Sequence, residues 1–142
     1  RGLIEKYRCE DADLIILSMG TIGSEAKLAV DNLRRQGQKV GAARIRVFRP
    51  FPKYEIQDLA KNAQMLTIID RQVSYGMEGP LYTEVKASLY SEKDSPLTAG
   101  FIVGLGGRDV TVHDIEKMVD KSFQHLRAGK VEKEVEWVGL RE

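Results

Sequence analysis

One cysteine, Cys9, is the only thiol in the chain. It cannot close an internal disulfide, and alone it cannot hold an iron–sulfur cluster or a structural zinc. A chain without a disulfide framework fits a reducing setting, so a cytoplasmic location is expected. Histidine is scarce too. His113 and His125 both fall in the last helical-looking stretch, without the carboxylate spacing of a metal site. No apolar run approaches the roughly 20 residues of a membrane span. No signal-peptide pattern is present, and no membrane partner is expected. Net charge is only +1, with no basic stripe interleaved with aromatics, which argues against nucleic acid. The chain opens on Arg1 rather than Met, which leads us to expect a fragment or a processed piece of something larger.

What is present suits one domain with a real core, since 42% of the 142 residues are hydrophobic and 30% are charged. Residues 1–12 read as a linker or the end of a preceding helix. LIILSM, Leu14 to Met19, is too short for a helix and fits a strand buried on both faces. GTIGSE then turns into a helix with apolar residues at helical spacing (Ala26, Ala29 or Val30, Leu33), and Gly37 stands where a helix ends. A second strand is expected over Val40–Phe48. It leads to the corner RPFP, and a helix follows from about Tyr54 to Asn62. MLTII, Met65 to Ile69, reads as a third strand. Pro80 opens a helix running to Tyr90, Phe101–Val103 lie in a fourth strand, and Thr111 with Asp114 forms a capping-box pattern ahead of the last helix. The domain therefore spans 13–129, with a charged tail over 130–142 whose Trp137 either packs back or anchors a neighbouring chain. Strand and helix alternate throughout. That order predicts an α/β three-layer sandwich with a mainly parallel sheet.

Local chemistry is sparse. GTIGSE sits between a strand and a helix as a phosphate loop does, but Gly20 and Gly23 do not make G-x-G-x-x-G, and no P-loop lysine follows. The second strand ends in Phe48-Arg49 instead of the acid that holds a ribose. Short turns need glycine for their backbone angles in any case. GLGGRD, Gly104 to Asp109, is more unusual. Gly106 and Gly107 leave backbone N–H groups open beside Arg108 and Asp109, which suits an anion, a partner backbone or a plain solvated connector. Asp70 and Arg71 end a strand where open α/β sheets place ligands, or form a local ion pair. None of the serines has a histidine at a nucleophile elbow, and no set of nucleophile, base and oxyanion donors assembles. The catalytic and metal-ligand sets are therefore both read as none.

The corner RVFRPFP and its surroundings carry a resemblance. The stretch DLIILSMGTIGSEAKLAVDNLRRQGQKVGAARIRVFRPFP is similar to the carboxyl-terminal domain of transketolase-like, thiamine-diphosphate enzymes. DRQVSYGMEGPLYTEVKASLY and GLGGRDVT narrow it to the alpha chain of pyruvate:ferredoxin oxidoreductase, in its second domain, from about Asp13 to Leu126.

The resemblance implies a transketolase C-terminal-like fold and a non-catalytic, subunit-contact role. The enzyme it implies decarboxylates a 2-oxoacid, with pyruvate the expected substrate and a branched-chain acid the runner-up. That enzyme passes electrons to ferredoxin and makes an acyl-coenzyme A. No cofactor is expected on this chain, which alone should be inactive. The intact complex would use thiamine diphosphate, magnesium, iron–sulfur clusters and coenzyme A. The implied partners are a pyrimidine-binding domain and beta, gamma and delta chains or their fused equivalents, with ferredoxin reached through the complex. The competing readings are another thiamine-diphosphate enzyme (a 2-oxoacid dehydrogenase or a transketolase-like synthase), a free-standing nucleotide-binding module, and a plain interaction domain. In the leading reading Pro50 and Pro52 fix the corner. Phe51 wedges into the core or a neighbour, and Arg49 is projected toward an interface or serves an internal corner. Arg108 meets a partner subunit or the coenzyme's phosphates.

Overall fold

The computed structural model describes residues 2–71, 79–104, 110–131 and 134–138, with only the backbone of Trp137 included. Six strands form one sheet: β1 (Ile4–Tyr7), β2 (Leu14–Met19), β3 (Val40–Ile45), β4 (Met65–Arg71), β5 (Leu97–Val103) and β6 (Val135–Trp137). Four helices connect or flank them: α1 (Ile22–Arg35), α2 (Lys53–Ala60), α3 (Pro80–Leu89) and α4 (Val112–Ala128). The strand order is β1-β3-β2-β4-β5-β6, parallel except for β1.

The burial pattern follows from the two-sided sheet. Leu14 and Ile16 of β2 pack with Ala26, Val30, Met118 and Val119 under α1 and α4. Ile15 and Leu17, pointing the other way, pack with Ile56, Leu59, Leu81 and Val85 under α2 and α3. The continuous apolar run is therefore what a strand with helices on both faces requires. Between the layers, the Thr67 hydroxyl of β4 donates to Ser122 of α4 at 2.7 Å, which satisfies two hydroxyls in the dry interior.

Two elements differ from the sequence expectation. Residues 1–12 hold β1, antiparallel to β3 with Ile4 opposite Ile45, instead of a linker or a helix end. The expected tail holds β6, where the Gly100 N–H donates to the Glu134 carbonyl at 2.7 Å and the Val138 N–H to that of Ile102 at 2.7 Å. Both are short edge strands fixed by pairing with distant residues. The second strand stops at Ile45, ahead of the expected Phe48, with the Arg46 N–H still donating to the Leu3 carbonyl at 2.8 Å. The capping box at Thr111 and Asp114 is present, and Gly129 closes α4 in the left-handed region at φ +78°.

The chain leaves β2 toward β3 on one side and returns to β4 on the other. The strand order therefore reverses between β2 and β4. In open α/β sheets the crevice outside the carboxyl ends at that point is the usual ligand or partner position.

Candidate functional site

The carboxyl end of β4 separates two adjacent residues. Asp70 is buried at 6% exposure, and its Oδ1 and Oδ2 accept the backbone N–H groups of Leu81 and Tyr82 at 2.8 and 2.9 Å. These are otherwise unpaired donors of the first turn of α3, at its positive end. Pro80, at the first helical position, has no N–H to satisfy. Asp70 therefore caps α3 from another element. Arg71 is exposed. Its Nη1 would lie 3.3 Å from a Cβ placed on Gly104, so the guanidinium runs along the end of β5. Among the described residues no acid pairs with it. The local Asp70–Arg71 ion pair considered from the sequence is not formed, since the carboxylate is turned inward.

The corner after β3 is built by stacking. The Arg49 guanidinium lies 4.3 Å from the Phe48 ring centroid, and Phe48 meets Phe51 edge-to-face at 5.6 Å. Both rings pack against the core under α2 and α3. The Arg49–Pro50 peptide is cis. Arg49 also reaches Glu84 of α3 at 3.3 Å, yet its side chain stays 67% exposed. Phe51 thus wedges into its own domain, while Arg49 is held outward on an aromatic bed. Tyr54, at the start of α2, is 77% exposed, with Lys53 over its ring at 5.9 Å.

Arg49, Phe51, Asp70 and Arg71 all fall at the carboxyl end of the sheet. Gly106, Gly107, Arg108 and Asp109 lie outside the described residues. Gly104, the last described residue before them, has φ +88°.

Sequence reading missed a charged cluster on the far side of β2. Glu5 of β1 accepts from Lys27 of α1 at 2.6 Å and from Arg44 of β3 at 3.1 and 3.2 Å, with Arg46 at 3.6 Å. The hydrogen bond from Lys27, then that from Arg44, brings its carboxyl from the ordinary 4.5 to about 2. Arg44 also explains the GTIGSE glycines. Its Nη1 donates to the Gly20 carbonyl at 3.1 Å, and its side chain occupies the space of a Gly23 Cβ. An arginine packed there, with Gly20 at φ +64°, fits a tight structural turn.

A shallow polar hollow at the opposite end of β3 is lined by Tyr7, Arg8, Asp31, Arg34 and Arg35. The Tyr7 hydroxyl donates to Asp31 at 2.8 Å, which pushes its pKa up, and Arg34 pairs with Asp11 at 2.7 Å. Among the described residues no group of three or more His, Cys, Asp or Glu side chains is placed to hold a metal ion. No described helix is long and apolar enough to cross a membrane. At the carboxyl end Arg49 is exposed on the Phe48 ring, and Arg71 is exposed against Gly104.

Residues 12–115 match the family model for pyruvate:ferredoxin oxidoreductase core domain II. The chain belongs to this family. It is 44% identical over 138 residues to pyruvate synthase subunit PorA of Pyrococcus furiosus, covering 97% of this chain and 35% of that one. It is 45% identical over 139 residues to ketoisovalerate oxidoreductase subunit VorA of the same organism, covering 98% and 35%. The core domain II chain thus spans about a third of the length of these curated relatives. Its fold is shared with a split-gene transketolase in an inactive beta4 tetramer (TM-score 0.66, 17% identity, covering 81% of this chain and 39% of that one). It is shared also with the 2-oxoglutarate:ferredoxin oxidoreductase of Magnetococcus marinus, solved with 2-oxoglutarate, coenzyme A and succinyl-CoA bound (TM-score 0.62, 19% identity, 85% and 20%). The α/β architecture expected of a transketolase C-terminal-like domain is the one observed.

Proposed function

We propose that this chain is the subunit-contact domain of a cytoplasmic 2-oxoacid:ferredoxin oxidoreductase and takes no direct part in the chemistry. The observation that carries the reading is the match along nearly the whole chain to oxidoreductase subunits at about 44% identity. The described residues support the non-catalytic part. Asp70, the one buried carboxylate at the switch point, is committed to capping a helix. Arg49 and Arg71, by contrast, are exposed.

In this reading thiamine diphosphate, magnesium, iron–sulfur clusters and coenzyme A are held by other parts of the enzyme. Those parts are a pyrimidine-binding domain and the beta, gamma and delta chains or their fused equivalents. Arg49 and Phe51 act as a unit, Phe51 anchoring the corner and Arg49 presenting its charge to a partner. For Gly106, Gly107, Arg108 and Asp109 we propose a partner contact. A titration of coenzyme A into the chain that gives heat lost on R108A would reassign that loop to the coenzyme.

Pyruvate is the proposed substrate. The near-equal similarity to a pyruvate and a ketoisovalerate enzyme fits a substrate choice set mainly outside this chain. The test is acceptor reduction by the native complex, captured with an antibody to this domain under anoxic conditions. Reduction should require pyruvate and coenzyme A together. Turnover with ketoisovalerate instead would move the substrate and keep the class. A captured complex without iron–sulfur partners and without turnover would overturn the reading.

A further inference from the structure

We infer that the carboxyl-terminal end of the sheet, centred on Arg71 with Arg49 beside it, seats a carboxylate-bearing surface of a partner subunit. The inference rests on the reading of the chain as one part of a multi-subunit oxidoreductase. Four observations carry it. Asp70 and Arg71 would neutralise each other if both faced solvent, but α3 takes up the carboxylate and leaves the arginine charge uncompensated among the described residues. The Arg71 guanidinium lies against Gly104, so it is placed over the end of β5 instead of swinging free. Arg49 is stacked on Phe48 and engages Glu84, yet keeps 67% of its side chain exposed, with donors to spare. Tyr54, in the first turn of the helix that follows the corner, is 77% exposed.

That composition and layout fit a protein surface better than a small anion. Exposed arginine and tyrosine are among the residue types that dominate interface energetics. Two guanidiniums, one at the end of β4 and one in the corner after β3, suit separate carboxylates, each accepting a forked pair of hydrogen bonds. A phosphate would instead need donors converging on one point.

The experiment uses the full-length protein assembled with its partner subunits. R71E should weaken assembly at least tenfold and move dissociation to lower salt. R71K should keep assembly and, under zero-length carbodiimide coupling, form an amide between position 71 and an Asp or Glu of another subunit. R71Q, which introduces no new charge, should fall between them if R71E perturbs folding. Wild-type assembly of R71E and R71Q with no inter-subunit amide would overturn the proposal, as would an amide found only within the same chain. Intact assembly with weakened binding of inorganic phosphate would assign the edge to a small anion and overturn it equally. If these complexes assemble as expected but show no 2-oxoacid-dependent reduction, the functional reading falls while the interface stands.

Discussion

At Gly79 the backbone angles, φ −71° and ψ 153°, are open to any residue. A Cβ there would nonetheless sit 2.2 Å from the carboxyl carbon and Oδ2 of Asp70. The glycine is required by space. It lets a buried carboxylate reach two N–H groups of α3 from β4. G79A should therefore force the carboxylate out of its cap and lower stability by about 2–3 kcal/mol. D70N keeps the size but points an amide N–H₂ at a donor, and should cost about 1–3 kcal/mol. Because both changes damage the same cap, the double variant should lose less than the sum. R71A, one residue away and outward-facing, should stay within about 0.5 kcal/mol. Urea midpoints for the four variants check all of this, and additive losses for G79A and D70N would show that the cap is not their shared cause. Sequence reading gave Asp70 and Arg71 one position and one meaning. What divides them is a partner eleven residues on, which no local pattern displays.

At the scale of elements, the central strands were legible and the edges were not. LIILSM and MLTII announce themselves by continuous apolar content, since a strand covered on both faces has no polar side to show. IEKY and VEW carry too few residues to display alternation, and are strands only because β3 and β5 offer them ladders. β1 is held also by charge, through Glu5 and its cationic neighbours on α1 and β3. The folded carboxyl titrates near 2, below its ordinary 4.5, so the ionised form favours the fold. That contribution is fully present above pH 4.5 and is lost as pH falls toward 2. E5Q should flatten the stability profile in this window relative to wild type, as read from denaturant midpoints at stepped pH. Parallel profiles would mean that the cluster is too well solvated to matter. The α4-to-sheet contact can be weighed separately. T67V strands the Ser122 hydroxyl in the interior and should cost about 1–3 kcal/mol, whereas adding S122A should recover part of the loss. A double-mutant cycle with zero coupling would remove this hydrogen bond from the account of how α4 is held.

For the whole molecule, the fold was readable from alternation, and the family from several motifs agreeing in order. The candidate site was readable only in part. Phe51 and Arg49 were expected either to serve the corner or to face a neighbour, and the structure divides the work: the ring goes inward and the guanidinium outward. This division makes the contact role testable apart from stability. R49A removes an exposed ion pair to Glu84, worth at most about 1 kcal/mol. It also removes a stacking contact on Phe48 worth about 0.5–1 kcal/mol at an exposed site. The domain should therefore remain folded, with a loss below about 2 kcal/mol. Assembly with the partner subunits should fall by tenfold or more, about 1.4 kcal/mol. E84Q, which breaks the same internal pair and keeps Arg49 stacked on Phe48, should melt between wild type and R49A and assemble like wild type. Native mass spectrometry of the complexes alongside thermal melts supplies both readouts. If R49A and E84Q both assemble like wild type, Arg49 belongs to an internal corner, and the contact surface must be sought away from β3.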